Sequence, residues 1–148
     1  MATRFLPDDQ LLSREQFKAM VFARAGNRCV FCQEPPVDAH HILDRKLYAE
    51  TGGYYLGNGA AVCERHHWAC ETTEIAVEAV WRAAGIVKPA LPPGFDAAKA
   101  YDKWGNEMLP DGLRREGPLA HDTGMRRALQ QGRVLQFLIP ADADNQQY

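Results

Sequence analysis

Two pairs of metal-binding side chains constrain the fold of this chain more than any other feature. Cys29 and Cys32 form the first pair, Cys63 and His66 form the second, and two residues separate the members of each. Together they make a Cys₃His set, which zinc binds in closed tetrahedral structural sites. Because the segment between the pairs is short of apolar residues, we expect a metal cross-link to hold its shape.

Cys70 leaves the fourth ligand of this set open. It lies seven residues after Cys63 and four after His66, so the three side chains would share one face of a continuous helix. Cys70 is therefore an alternative to His66 as the fourth ligand. The competing interpretation, that the cysteines are ordinary buried core residues, is disfavoured because paired spacings rarely arise without a metal.

Length and composition predict one soluble domain. The chain has 148 residues, of which 46% are hydrophobic and 24% charged, and this composition is ordinary for a globular protein. The sequence shows neither the apolar run of a signal peptide nor a membrane-spanning stretch, so we expect a cytoplasmic protein without membrane association. Cysteines in such a compartment are metal ligands more often than disulfides. The net charge of −2 requires any nucleic-acid-binding surface to be local.

Periodicity and turn signals predict an α+β fold. A capping box of Ser13 and Gln16 begins the first helix, and Thr72 or Thr73 is a candidate N-cap for the last helix of the core. The expected elements are a helix, three short strands and two more helices, at about 14–25, 30–31, 37–43, 54–56, 62–72 and 73–85. The core is expected at about 27–86. The extension at 87–148 is rich in turn signals and is expected to wrap irregularly around it, ending in a frayed tail at 141–148.

Four of the five histidines stand in two adjacent pairs. His40 and His41 lie between the two halves of the Cys₃His set, and His67 follows His66 directly. Successive residues of a strand point to opposite faces, and successive residues of a helix are about 100° apart. The members of each pair therefore have different tasks, one binding a metal and the other facing another partner.

This arrangement provides candidates for each part of phosphodiester hydrolysis. His41 can act as the base that deprotonates water, His40 and His67 can hold a divalent cation, and Asn58 can supply an orienting amide. Asp38 and Glu71 are further candidate ligands, because each shares a face with one of these histidines. A hard, exchangeable ion such as Mg²⁺ or Mn²⁺ suits such a site.

The ordered residues over 29–71 resemble the zinc-containing branch of the HNH (His-Asn-His) endonucleases. This resemblance implies a ββα-metal core with His41 as the general base and Asn58 as the residue that positions it. It implies further that His40 and His67 bind the catalytic cation. His66 stands where the family more often has a second cysteine, which bears on zinc binding and leaves the catalytic layout intact.

The sequence therefore predicts an endonuclease acting on nucleic acid, DNA more than RNA, as a monomer or homodimer. Arg45 and Lys46 are candidate phosphate contacts because they follow the His-His strand closely. The alternatives are a zinc-stabilised module that binds nucleic acid or protein without catalysis, and a purely structural zinc protein. Two other groups are not assigned to the site: His121 is predicted to lie on the surface, and the segment 101–106 is predicted to be a turn with Trp104 docked on the core.

Overall fold

The computed structural model describes residues 9–143 and shows a mixed α+β fold, as predicted. Its helices and strands, in chain order, are α1 Arg14–Arg24, β1 Asp38–His41, β2 Gly59–Val62, α2 Glu64–Glu71, α3 Val77–Ala84, β3 Glu107–Met108, β4 Arg114–Arg115, α4 Thr123–Gln131 and β5 Leu138–Ile139. Within this part of the chain, no helix is long and apolar enough to cross a membrane. The predicted frayed tail extends beyond residue 143 and so lies largely outside the described residues.

Helix α1 begins where the capping box predicts. The Ser13 hydroxyl accepts a hydrogen bond from the Gln16 backbone N–H at 3.1 Å, and the Gln16 side chain accepts one from the Ser13 N–H at 3.0 Å. These bonds satisfy two backbone groups that an uncapped helix leaves free. The buried face of α1 carries Phe17 and Val21, which pack with Leu56 in one hydrophobic cluster.

A two-stranded antiparallel hairpin followed directly by a helix forms the centre of the molecule. Strand β1 pairs with β2 in a register that places Asp38 opposite Val62 and His41 opposite Gly59. The strand predicted at 37–43 is therefore present but shorter. The predicted strands at 30–31 and 54–56 are wrong: the first is a turn, and the second is an isolated bridge leading into a 3₁₀ turn. Each segment has a single backbone hydrogen bond with a distant segment, from the Val30 N–H to Ala61 and from the Leu12 N–H to Tyr54, which is too few for a strand ladder.

The helices after β2 begin later than the sequence pattern indicates. The predicted helix at 62–72 starts too early, because Val62 ends β2 and Cys63 is the N-cap of α2. The predicted N-cap at Thr72 or Thr73 is also wrong. Thr72 instead ends α2, where its hydroxyl donates to the Trp68 carbonyl oxygen at 2.9 Å, and α3 starts after Ala76.

The C-terminal extension is more regular than predicted. Strands β3, β4 and β5 form a small mixed sheet, and α4 is capped by Asp122, whose carboxylate accepts from the Met125 N–H at 2.9 Å. Trp104 docks on the core as expected, packing with Met125 and Leu129. Arg114 is buried and paired with Asp102 at 3.0 Å. The extension thus has a folded core of its own against α2.

Substitution of Gly59 by alanine should destabilise the fold by about 1–3 kcal/mol, because overpacking a filled core costs that much. A Cβ at Gly59 would lie 2.5 Å from Val21 Cγ2 and 2.7 Å from Phe17 Cζ. The free energy of unfolding in urea measures the cost. The matched control is Gly59→Ala in a Val21→Ala background, which removes the nearest of these contacts and leaves those with Phe17, so the added methyl group should cost less there. Equal costs in the two backgrounds would contradict this packing.

Candidate metal centres and cleft

The Cys₃His set predicted from the sequence comes together as one cluster that can hold a metal such as zinc. The Cys32 and Cys63 sulfurs are 3.7 Å apart, and His66 Nδ1 lies 3.5 Å from Cys29 Sγ and 3.2 Å from Cys63 Sγ. A tetrahedral site with Zn–S bonds of about 2.3 Å and Zn–N bonds of about 2.0 Å has ligand atoms roughly 3.5–3.8 Å apart. The four side chains therefore fit a tetrahedral metal.

Local backbone geometry explains this convergence. Cys63 is the N-cap of α2 and His66 its third residue, so the first turn of the helix brings them together. Cys29 and Cys32 lie on a tight turn in which the Gln33 N–H bonds the Cys29 carbonyl oxygen at 3.1 Å. Burial alone raises the pKa of the Cys29 thiol, but hydrogen bonds from neighbouring backbone N–H groups outweigh it and lower the pKa. The thiolate is the form that binds metals.

Cys70, the alternative fourth ligand, is not part of this cluster. It is buried in the main core with residues such as Ile42 and Val80. Burial raises the pKa of its thiol to about 12, which favours the neutral form. The geometry thus places His66, and not Cys70, beside the other three ligand atoms.

Substitution by alanine should lower metal content at His66 and leave it unchanged at Cys70. His66→Ala removes a ligand atom, so zinc affinity should fall by more than about tenfold. Removing a side chain that only hydrogen-bonds a metal ligand already lowers affinity by about that factor. Cys70→Ala should keep the metal and lose only packing. Elemental analysis of the purified proteins, with thermal unfolding, tests both. Zinc lost from Cys70→Ala but kept by His66→Ala would make Cys70 the ligand.

A second cluster of candidate ligands lies on the other side of α2. His40, His67 and Glu71 each offer a ligand atom within 4.8 Å of the others. His67 Nε2 is 3.1 Å from Glu71 Oε1 and 3.8 Å from Asp38 Oδ2. Asp38 and His40 share one face of β1, and His67 and Glu71 are one helical turn apart. The four side chains predicted as cation ligands therefore converge.

His40 is the buried member of this second cluster. Its side chain is 1% exposed, and its Nδ1 has no hydrogen-bond partner among the described residues, with Glu71 Oε1 at 3.9 Å. Burial, followed by the charge of Lys103, lowers the pKa of His40 well below its usual range. The imidazole is therefore neutral at physiological pH, as a metal ligand must be.

His41 points to the opposite face of the hairpin. Its ring stacks on Phe17 at 4.8 Å between centroids and meets Tyr54 edge-on at 5.0 Å. Burial and the charge of Lys103 lower the pKa of His41 to about 4. A neutral imidazole can accept a proton, and the two aromatic rings limit its rotation. The predicted separation of tasks between His40 and His41 thus agrees with their placement.

Asn58 lies buried at the start of β2 and fixes the chain just after His41. Its side-chain oxygen accepts from the Leu43 N–H at 2.9 Å, and its amide nitrogen donates to the carbonyl oxygens of Leu43 at 3.0 Å and Gly53 at 3.2 Å. Its backbone carbonyl oxygen accepts from the Ile42 N–H at 2.9 Å. Asn58 therefore holds the backbone at Ile42 and Leu43, next to His41, and its side chain forms no hydrogen bond with the His41 ring.

A cleft of about 1090 Å³ connects His41 with the second cluster. It is lined by one face of α1, by β1 and α2, and by the segments 44–46 and 103–104. Arg45 and Lys46, the predicted phosphate contacts, both line this cleft and are exposed. Lys46 Nζ also forms an ion pair with Asp122 at 2.7 Å.

Lys103 is a cleft residue that the sequence did not indicate. Its ammonium group is 2.8 Å from Asp44 Oδ1, 3.5 Å from Glu71 Oε2 and 4.3 Å from the centre of the Trp104 ring. Burial raises the pKa values of Asp44 and Glu71, but nearby donors and positive charges, Lys103 among them, outweigh it and lower both. The sequence predicted a turn at 101–106 with Trp104 on the core, but no local signal connects Lys103 to Glu71.

Replacing Lys103 by methionine should destabilise the protein by about 3–5 kcal/mol, because it leaves a buried carboxylate without its partner. Chemical unfolding at neutral pH measures the loss. Lys99→Met is the matched control: Lys99 is half-exposed and 3.8 Å from Glu107, so its cost should stay within about 1 kcal/mol. Adding Asp44→Asn to Lys103→Met should recover part of the loss. Equal costs for the two lysines would contradict this assignment.

Comparison with protein-family profiles, curated proteins and solved structures finds no match to this chain.

Proposed function

We propose that this protein is a metal-dependent endonuclease of the HNH type that hydrolyses phosphodiester bonds in nucleic acid. The observation that carries the proposal is the cleft lined both by His41 and by three candidate cation ligands, Asp38, His67 and Glu71. A neutral base and a group of hard and borderline cation ligands thus face one space large enough for a substrate. Hydrolysis of a phosphodiester needs both.

His41 is the general base in this proposal. It removes a proton from a water molecule as the water oxygen attacks phosphorus, and the bond from phosphorus to the leaving oxygen breaks. The leaving oxygen then takes a proton from solvent. The stack on Phe17 holds the ring in place, and Asn58 fixes the backbone that carries it. These contacts support the in-line geometry that such a step requires.

His40, His67 and Glu71 would hold the catalytic cation, with Asp38 close enough to join them. The mixture of imidazole and carboxylate groups suits Mg²⁺ or Mn²⁺. When bound, the cation supplies positive charge to the phosphate oxygens and the leaving oxygen. The partnerless Nδ1 of buried His40 supports this assignment, because buried polar atoms in native proteins nearly always have a partner.

The Cys₃His cluster has a structural role in the same proposal. Its four ligands leave no open position for a substrate. His66 belongs to this cluster, while His67 belongs to the catalytic one. A bound zinc ion would therefore fix the orientation of α2, and with it the position of His67 and Glu71.

Substitution of His41 by alanine should lower the rate of cleavage by about 10²–10⁴-fold, the usual contribution of a general base. The assay follows supercoiled plasmid and labelled single-stranded DNA and RNA, with magnesium, with manganese and without added divalent ion. His121→Ala is the control, because His121 is exposed and outside the cleft.

Two results would contradict the proposal. Cleavage by His41→Ala at the wild-type rate would remove His41 from the role of base. If the folded, zinc-loaded wild type cleaves none of the substrates with either metal, the protein is better described as a zinc-stabilised binding module.

A further inference from the structure

Helix α1 lies outside the predicted metal core, yet it is fixed against the proposed base. Phe17 stacks on His41, and the Arg24 guanidinium donates to the carbonyl oxygens of Leu56, at 2.8 Å, and Gly59. Arg24 thereby joins the C-terminal end of α1 to the start of β2. The exposed face of the helix therefore keeps a defined position beside His41.

This exposed face gives one wall of the cleft a positive charge. Arg14 and Lys18 are both exposed and line the cleft. They lie four residues apart, so they share a face and are separated by about 6 Å along the helix axis. Arg45 lies on another wall of the same cleft.

Carboxylates do not neutralise these three cations. Over residues 9–143, neither Arg14, Lys18 nor Arg45 forms an ion pair. Two acidic side chains of the cleft are held elsewhere, because Asp44 and Glu71 both contact Lys103. Three cations without an ion pair therefore line the cleft, although the net charge of the chain is −2.

Two aromatic rings accompany these charges. Phe22, one turn after Lys18, and Tyr54, beside His41, are both partly exposed and line the cleft. A positively charged groove with aromatic rings is the arrangement by which proteins bind single-stranded nucleic acid, because phosphates follow the charges and unpaired bases stack on the rings. A duplex keeps its bases stacked on each other and cannot use such rings.

We propose that α1 and Arg45 bind the phosphates of a single nucleic-acid strand and guide it past His41. The cleft volume of about 1090 Å³ slightly exceeds the roughly 300–1,000 Å³ of pockets that enclose a drug-sized ligand, which is suitable for a few nucleotides of one strand. That the substrate is nucleic acid rests on the proposed function. The inference adds a preference for single strands and names the residues that determine this preference.

Binding measured without cleavage tests this inference directly. Fluorescence anisotropy of labelled single-stranded DNA, single-stranded RNA and the DNA duplex, with zinc-loaded protein and no magnesium or manganese, gives the Kd for each. We expect a single strand to bind at least about tenfold more tightly than the duplex, because unpaired bases can stack on the aromatic rings and paired bases cannot. The DNA and RNA arms show which single strand is preferred.

The variant pair Arg14→Gln/Lys18→Gln tests the residues. Losing two phosphate contacts should lower the slope of log Kd against log salt by about 1.4 for a single strand, and it should raise the Kd. The control Lys88→Gln/Arg127→Gln makes the same change in net charge at exposed positions outside the cleft, and its slope should equal that of the wild type. Thermal unfolding checks that both variants are folded.

The outcomes separate this inference from the proposed nuclease. Tighter binding of the duplex, equal salt slopes in the two double variants, or no binding of any oligonucleotide overturns the inference, even if the wild type cleaves nucleic acid. Single-strand binding that depends on Arg14 and Lys18 supports the inference, even if no cleavage is found and the nuclease proposal fails.

Discussion

The pairing register of β1 with β2 determines where each functional side chain of the hairpin points. His41 lies opposite Gly59, so Asp38 and His40 face α2, while His41 faces α1. A slip of one residue would exchange the two faces. Asn58 holds the register through its bonds to Leu43. The separation of the proposed cation ligands from the proposed base therefore depends on the strand pairing and on a few hydrogen bonds of the Asn58 side chain.

Elements on both sides of the hairpin complete the site. From the N-terminal side, α1 supplies Phe17, which covers one face of the His41 ring. From the C-terminal side, the turn at 101–106 supplies Lys103, which reaches Asp44 and Glu71. Because these contacts are buried or partly buried, their charges are less screened than surface charges. The segments outside the resemblance to HNH enzymes thus contribute a packing contact, from Phe17, and a charge, from Lys103.

Burial gives the two histidines of β1 a common property despite their opposite directions. Both have lowered pKa values, chiefly because the charged imidazolium is poorly solvated inside the protein and secondarily because Lys103 is near. A neutral imidazole is required both of a metal ligand and of a base that accepts a proton. One buried lysine therefore favours the neutral form of both side chains, although its direct contacts are with carboxylates.

The sequence by itself determined the features that depend on neighbours in the chain. The capping box located the start of α1, the spacing of Cys29, Cys32, Cys63 and His66 indicated one cluster, and strand alternation separated His40 from His41. Tertiary structure decided the rest. The segment Gly59–Val62 has helix-compatible alanines, yet it is a strand because it pairs with β1. Lys103 lies 59 residues from Asp44, and a contact over that distance has no local pattern, because it forms only when packing brings the two segments together.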